Sequence, residues 1–295
     1  MLVNKTFVPS GYRKEKIWDG GNKKERIIHK PQYYPDQIIH WCLMQQIEPV
    51  IRRGMDAYCC ASVPGRGIHY ALKAVKKWLK EDRKYTKYCV KMDIVKFYPS
   101  IDKEVLKGQF RRKIKDQDVL WLIEVIIDSH QLGLPIGNYT SQWFSNFYLE
   151  GFDHYVKEVL GVKYYIRYMD DFCLFGRNKK KLHQARIKAE QYLRDVLHVQ
   201  VKGNWQLFQV DDRGVDFVGY RIFRDYCLVR KSTALRISRR MRQIRACEEI
   251  GYKDAAAVMS YWGWLKHCNA NNFTQKYLAG VGEMEEIKDV IRLNS

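Results

Sequence analysis

Residues 164–176 read YYIRYMDDFCLFG, and no other segment constrains the fold as strongly. Two short apolar runs, Tyr164 to Tyr168 and Phe172 to Phe175, flank Met169-Asp170-Asp171. Aromatic and aliphatic runs of this length favour strands, and so short an interruption favours a β-hairpin with both acids at its turn. The runs need burial, so the acids stand at the lip of an apolar sheet rather than on an ordinary solvated turn. Upstream, Tyr88 to Ile94 is a second short, partly alternating strand that runs into the turn-rich FYPSID, which leaves Asp93 at a strand end. Strands and helical patterns alternate elsewhere without the regular period of a doubly wound sheet. The expected class is therefore α+β, with an antiparallel sheet carrying the acidic hairpin.

The remaining pattern supplies helices. Lys23, Lys24, Arg26, Ile27 and Ile28 read as a basic hairpin, followed by an apolar helix around Ile38 to Val50. The turn PGRG (Pro64 to Gly67) leads into a helix in which Ile68, Leu72, Val75 and Leu79 recur at helical spacing. Residues 103–127 read as helical. A loop, GLPIGN, precedes a long helix from about Ser141, with Phe144, Tyr148, Phe152, Tyr155, Val156 and Val159 on one side. Leu182 through Leu197 form an amphipathic helix, GVDFVGYRIF reads as β, and the C-terminal part is basic and mainly helical, with Ser232 as a candidate cap for a helix bearing Ile237, Met241 and Ile244.

Charge narrows the function. There are 52 Lys+Arg against 33 Asp+Glu, a formal net charge of +19. That excess points to a polyanionic partner. One concentration lies in the first 90 residues. Another lies between Tyr220 and Arg245, where Arg221, Arg224, Arg230, Lys231, Arg236, Arg239, Arg240, Arg242 and Arg245 face a single acid, Asp225. The longest uncharged run, Ser129 to Leu149, is broken by glycine, proline and polar residues, so no membrane span or membrane partner is expected. The N-terminus lacks the apolar core of a secretory signal, and a cytoplasmic location follows as the expectation. The 8 cysteines show no C-x-x-C spacing and read as reduced, mostly buried thiols.

One aspartate at a strand end and two on a hairpin are the donor set of a two-metal nucleotidyl transferase. Such a site holds two Mg²⁺ ions about 3.5–4 Å apart, one activating a 3′-hydroxyl and one stabilising the leaving pyrophosphate. Hard oxygen donors suit Mg²⁺, with Mn²⁺ as a substitute, and bound cations offset the repulsion between carboxylates. Asp93, Asp170 and Asp171 are the candidate catalytic and metal-binding residues.

With these residues in order, the chain resembles the reverse transcriptases. The resemblance rests on YMDD preceded by YYIRY, on D-I-x-K-F-Y-x-S-I-D upstream, and on G-x-P-x-G-N-x-T-S-Q between them. It extends through KKERIIHKP, PDQIIHWCL, SVPGRGIHYAL, GVDFVGYRIF and SYWGWLKHCNANN, nearly the whole chain. Among these enzymes it looks most like the bacterial ones, and in particular those of diversity-generating retroelements, because Ile136 and Gln142 replace the P-Q-G and S-P usual in group II intron and retron enzymes.

The resemblance implies a right-hand polymerase with fingers (1–87), a first palm part (88–102), a fingers/palm connection (103–148), a second palm part (149–225) and a short basic thumb (226–295). It implies cDNA synthesis from a dedicated, structured template RNA, with frequent misincorporation opposite template adenines, and a basic pentameric accessory protein. An antiphage defence reverse transcriptase copying an associated non-coding RNA is the alternative, and a maturase-like RNA-binding protein a more distant one. No endonuclease or zinc module follows the thumb block, and dependence on partners is expected. By position, Tyr98 takes the place of the aromatic beneath the incoming sugar, with Phe97 in the core. Lys24 and Arg26 match residues that clamp the triphosphate, with Arg66 a weaker candidate, and Ile136 and Gly137 border the dNTP. Gln142, Tyr168 and Met169 would meet template or primer, as would Arg236, Arg239 and Arg240 on a thumb helix. Lys202 stands near the place of a later-palm lysine that protonates pyrophosphate, but VKGNW does not align cleanly with that block.

Overall fold

The structure is a computed structural model that describes residues 1–19, 24–247, 249–282 and 284–293. The chain divides into two compact units, Met1–Ala71 with Lys84–Gln209, and Leu72–Arg83 with Val210–Ser295.

In the first unit, β1 (Arg13–Asp19) and β2 (Lys24–Lys30) form an antiparallel hairpin. α1 (Ile38–Gly54) follows, then α2 (Ile68–Glu81), whose later turns belong to the second unit. β3 (Tyr88–Asp93) leads through the short α3 (Phe97–Ser100) to α4 (Lys103–Lys113), α5 (Gln117–Asp128), α6 (Tyr139–Tyr148) and α7 (Glu150–His154). The unit ends with β4 (Tyr164–Tyr168), β5 (Asp171–Gly176), α8 (Lys179–Asp195) and β6 (Gln206–Gln209).

The central sheet has the order β4-β5-β3-β6 and every pairing is antiparallel, so the α+β expectation holds. Phe172 to Phe175 are buried on both faces of β5. This explains why that strand is continuously apolar instead of alternating. α8 packs against β3 and β5. Phe152 of α7 meets Phe172 edge-on at 5.3 Å.

Two helical expectations change. The run over 103–127 is two helices, because Asp116 caps a new one: its carboxylate accepts from the Asp118 and Val119 backbone N–H groups at 2.9 and 3.0 Å. Asp102 does the same for α4. The long helix from Ser141 breaks at Leu149 and ends in a wide turn over Tyr155–Val159. Val159 is 70% exposed, not part of the apolar side.

The second unit adds α9 (Val210–Arg213), the antiparallel sheet β7 (Val215–Phe217), β8 (Tyr220–Ile222) and β9 (Cys227–Val229), and helices α10 (Lys231–Arg245), α11 (Tyr252–Leu265), α12 (Asn271–Tyr277) and α13 (Met284–Arg292). Ile237, Met241 and Ile244 are buried, as their spacing predicts. Ser232 does not cap α10: the cap position is Arg230, and Ser232 lies inside the first turn. No helix among the described residues is long and apolar enough to cross a membrane. Five of the cysteines, Cys59, Cys60, Cys89, Cys173 and Cys227, are free and buried, while Cys42 and Cys247 are exposed.

Candidate active site

Antiparallel register places Asp93 directly opposite Asp171 across β3 and β5. Directly opposed residues project from the same face of a sheet, so the two carboxylates share one side. Lys91, two residues back on β3, is on that side as well, with its Nζ 3.2 Å from Asp171 Oδ2. Asp170 sits in the two-residue turn joining β4 to β5. Met169, the first residue of that turn, has φ of 55°. This is the left-handed region that glycine takes in tight hairpins, and a longer side chain there costs on the order of 1–3 kcal/mol.

The strip after α8 then closes on the same end of the sheet. Val201 bridges Ile94, the Val95 N–H donates to the Gln200 carbonyl at 2.8 Å, and the Lys202 N–H donates to the Asp93 carbonyl at 2.8 Å. This aims the Lys202 ammonium at Asp93 Oδ2, 2.6 Å away. Two lysines thus meet two of the three aspartates. For Asp170, burial and then the neighbouring Asp93 carboxylate raise the pKa to about 7. Neighbouring carboxylates in a dry site cannot all ionise cheaply.

Do these residues fit divalent cations? Asp93 Oδ1 is buried and has no hydrogen-bond partner among the described residues. The donors are hard oxygens, and Asp170 lacks sufficient countercharge. Both features match Mg²⁺ chemistry. Among the described residues, however, no set of three or more His, Cys, Asp or Glu side chains stands in a ready coordinating arrangement. In this structure the lysines supply the positive charge.

A buried polar network holds the turn. Arg167 of β4 is fully buried and donates to both Asp153 oxygens, Nε to Oδ1 at 2.8 Å and Nη2 to Oδ2 at 2.6 Å. Tyr165 donates to the same carboxylate at 2.6 Å. Burial alone would weaken the charge on Arg167, but the Asp153 carboxylate outweighs it and holds the guanidinium's pKa well above its ordinary value. The other face of that guanidinium donates to Asn146 Oδ1 at 3.0 Å and to the Met169 carbonyl at 3.1 Å. Its backbone is tied to the loop before α2 through Tyr58 O and the Cys60 N–H. None of this was legible as function in the sequence. The available signal was a lone arginine inside an otherwise apolar strand and an acid, Asp153, on the buried side of a helix.

The structure brings Tyr98 and Met169 to this end of the sheet. The Tyr98 hydroxyl lies 3.8 Å from Met169 Sδ, and burial followed by Asp170's charge raises its pKa despite a hydrogen bond with Ser145. Phe97 is buried core. Tyr168 is half-buried opposite Asp171. The Ile136 carbonyl accepts from the His29 N–H of β2 at 2.7 Å, which docks the GLPIGN loop on the hairpin that bears exposed Arg26. Gly137 has φ of 121°, and a Cβ there would meet Ile28 Cγ2 at 2.5 Å. Gln142 is exposed on α6. Lys24 begins β2, but its side chain, like all of Lys23, lies outside the described residues.

Arg66 is otherwise engaged than expected: its Nη1 donates to the Asp56 and Cys59 carbonyls at 2.7 and 3.0 Å, pinning a loop. The basic strip is also less open than its sequence. Arg224 pairs with Asp211, Arg221 and Arg230 with Asp216, and Arg240 with Asp254. These acids come from outside the strip, so a count along the chain overstates its free charge. Of the proposed contacts on α10, Arg239 is exposed and Arg236 is half-buried, with its Nε unpartnered among the described residues.

With that geometry in place, residues 14–222 match the reverse transcriptase (RNA-dependent DNA polymerase) family. The chain belongs to the reverse transcriptase family. Solved structures agree on the fold. Telomerase from Candida albicans, in complex with a TWJ fragment of telomeric RNA, superposes with a TM-score of 0.54 at 10% identity over 99% of this chain and 62% of that one. Apo telomerase from Candida tropicalis gives 0.57 at 14% identity, over 95% of this chain and 56% of that one. This reverse-transcriptase-family chain therefore spans between about a half and two thirds of those chains. No curated protein matches it.

Proposed function

We propose that this chain is an RNA-directed DNA polymerase that extends a primer on a template RNA by two-metal nucleotidyl transfer, and that it serves a diversity-generating retroelement. The observation that carries the polymerase reading is the convergence of Asp93, Asp171 and the Asp170 turn on one end of an antiparallel sheet, with Lys202 against Asp93. Asp93, Asp170 and Asp171 would hold the divalent cations, which when bound neutralise phosphate charge and make the primer 3′-hydroxyl a better nucleophile. The chain's own residues do the rest. Tyr98, set beside Met169, limits the space beneath an incoming sugar. Lys202 holds a proton next to Asp93, in position to pass it to departing pyrophosphate. Residues 1–87 serve as fingers, 88–102 and 149–225 as palm with 103–148 connecting fingers and palm, and 226–295 as thumb, where exposed Arg239 meets duplex backbone phosphates.

The retroelement reading is supported by Ile136 and Gln142 in the loop-and-helix block. Ile136 offers no side-chain hydrogen bond to the template–dNTP pair, which weakens rejection of wrong pairs. A basic accessory protein and a structured template RNA complete the reading. The test is to copurify the chain with its bound RNA, sequence that RNA, and sequence the cDNA made from it. Errors concentrated at template adenines, and reduced by Ile136→Gln, support the retroelement. Uniform errors, with an RNA encoded beside a defence locus, favour the antiphage alternative. Retained biological activity after Asp170→Ala with Asp171→Ala supports an RNA-binding factor instead of an enzyme.

A further inference from the structure

Three rings fasten the β1–β2 hairpin to the loop that carries Ile136. Tyr12, immediately before β1, His29 of β2 and His130, just past α5, meet edge-on in every pairing. Their centroids stand 6.1 Å (Tyr12–His29), 5.9 Å (Tyr12–His130) and 4.6 Å (His29–His130) apart. The Tyr12 hydroxyl clamps both ends of the loop. The Ser129 hydroxyl donates to the Ile126 carbonyl, so its oxygen is left to accept from Tyr12 at 2.6 Å, and Asn138 Nδ2 donates to the Tyr12 oxygen at 3.0 Å. His130 Nδ1 meets the Leu132 carbonyl at 2.8 Å, which assigns the N–H to that nitrogen. Beside the rings, the His29 N–H reaches the Ile136 carbonyl, and the Leu134 N–H of the same loop donates to the Tyr98 carbonyl at 2.9 Å. The hairpin that bears Arg26 is thus seated, through one loop, relative to Tyr98.

Cations, not carboxylates, flank the two imidazoles. Lys14 stands directly opposite His29 across the hairpin, and Lys103 of α4 donates from its Nζ to the His130 carbonyl. The acid nearest in the chain, Asp128, is engaged by Lys107 at 2.8 Å. Neither His29 nor His130 forms an ion pair among the described residues, in contrast to His154 and His198. Burial, then His130 and Lys14, hold the pKa of His29 below the ordinary imidazole value of 6.5. Two neutral imidazoles pack as an aromatic pair, whereas two imidazoliums at this separation repel.

We propose that Tyr12, His29 and His130 are positioning residues for nucleotide addition: as a neutral aromatic junction they hold the Arg26 hairpin against the dNTP-bordering loop, and charging the two imidazoles loosens that seat. The inference rests on the polymerase reading above and adds to it a proton-sensitive seat for the triphosphate-clamping hairpin. Docking lowers the proton affinity of His29, so the docked form binds fewer protons; the seat is complete above pH 6.5 and weakens as pH falls below it. The hairpin clamps the triphosphate and not the primer end. The loss therefore falls on KM for dNTP ahead of kcat.

The test is steady-state primer extension by the full chain between about pH 5 and 8, with KM for dNTP and kcat separated at each pH. Phosphate groups also titrate at about pH 6, so the difference between variants is the diagnostic. In the unaltered protein KM should rise below pH 6.5 by on the order of 10-fold, less than the roughly 10²-fold cost of misplacing a catalytic group. His29→Phe, which keeps a ring and cannot be charged, should lose most of that rise. His29→Lys, charged throughout the range, should show the raised KM at neutral pH as well. An acid rise of equal size in the unaltered protein and His29→Phe overturns the inference. So does an acid effect confined to kcat, or a His29→Lys KM equal to that of the unaltered protein. Amide exchange at His29, corrected for its intrinsic pH dependence, reads the seat without substrate or variants. Protection should fall below pH 6.5, and pH-independent protection overturns the inference even where both variants fold poorly. Acid-labile protection with no incorporation at any pH counts against the polymerase reading alone. Incorporation with pH-independent KM and protection counts against the junction alone.

Discussion

Replacing Asp153 by Asn removes one formal charge and almost no volume, yet it should be among the most damaging single changes in this protein. Both partners of the Arg167–Asp153 pair are removed from water, at 0% and 1% side-chain exposure. Among the described residues, Asp153 is the one carboxylate touching the guanidinium, in a two-point contact, and it also accepts from Tyr165. In the variant, an amide N–H group faces a guanidinium donor or the Tyr165 hydroxyl, and Arg167 keeps only neutral acceptors, namely Asn146 Oδ1 and its carbonyl, the Met169 carbonyl and Cys59 Sγ. Breaking a buried pair in this way costs roughly 3–5 kcal/mol, a large share of a total stability of about 5–15 kcal/mol. Urea unfolding followed by tryptophan fluorescence would read it as a lower midpoint at unchanged slope.

A companion variant, Arg167→Met with Asp153→Leu, removes both charges together and should recover most of the loss, because packed apolar replacements of buried pairs are often neutral or better. It would still lack the donor to Met169. The strained turn carrying Asp170 should then be less well held, and dNTP incorporation should stay depressed by roughly 10²-fold in kcat, the scale for a misplaced catalytic group. A loss below about 1 kcal/mol for Asp153→Asn, or a companion variant as unstable as the single one, would refute the reasoning.

Other expectations follow from particular side chains. His40 titrates at about 4 in the folded protein against 6.5 unfolded, so the folded state binds fewer protons between those values. The stability this provides is complete above pH 6.5 and lost as pH falls towards 4, by up to about 3 kcal/mol, a loss that His40→Leu should abolish in urea midpoints measured across that window. Gly137→Ala meets both a left-handed φ and a collision with Ile28, and should lower the melting temperature or displace the GLPIGN loop, visible as faster amide exchange at His29. Arg239→Ala should reduce the salt dependence of RNA·DNA binding by about one unit of slope while leaving stability near normal. Arg240→Ala, which removes the partner of Asp254, should mainly affect α10–α11 stability; identical behaviour of the two variants would contradict the distinction drawn between them.

Much of the site is legible in the amino-acid sequence. Local alternation and run length mark β3, β4 and β5, because a strand's side-chain period is written in consecutive residues. Asp93 at a strand end and Asp170-Asp171 at a hairpin turn follow directly from those elements. Helical spacing marks α1, α2 and the buried stripe of α10 in the same way. Helix breaks are harder to see: Asp116 reads as an ordinary polar residue until its carboxylate is found on two backbone N–H groups.

What only the tertiary structure decided is which charges meet. Lys202 is 109 positions from Asp93 and sits in a segment whose local pattern aligns poorly, yet it lies against that carboxylate because the strip after α8 pairs with the end of β3. Arg167 and Asp153 are separated by a wide turn and meet only once β4 and α7 share a core. Arg224, Arg230 and Arg240 look like free cations along the chain and are paired across it. Backbone periodicity is a property of neighbours and can be read from sequence. Pairing of buried charge is set by desolvation, which exists only after distant segments have excluded water together.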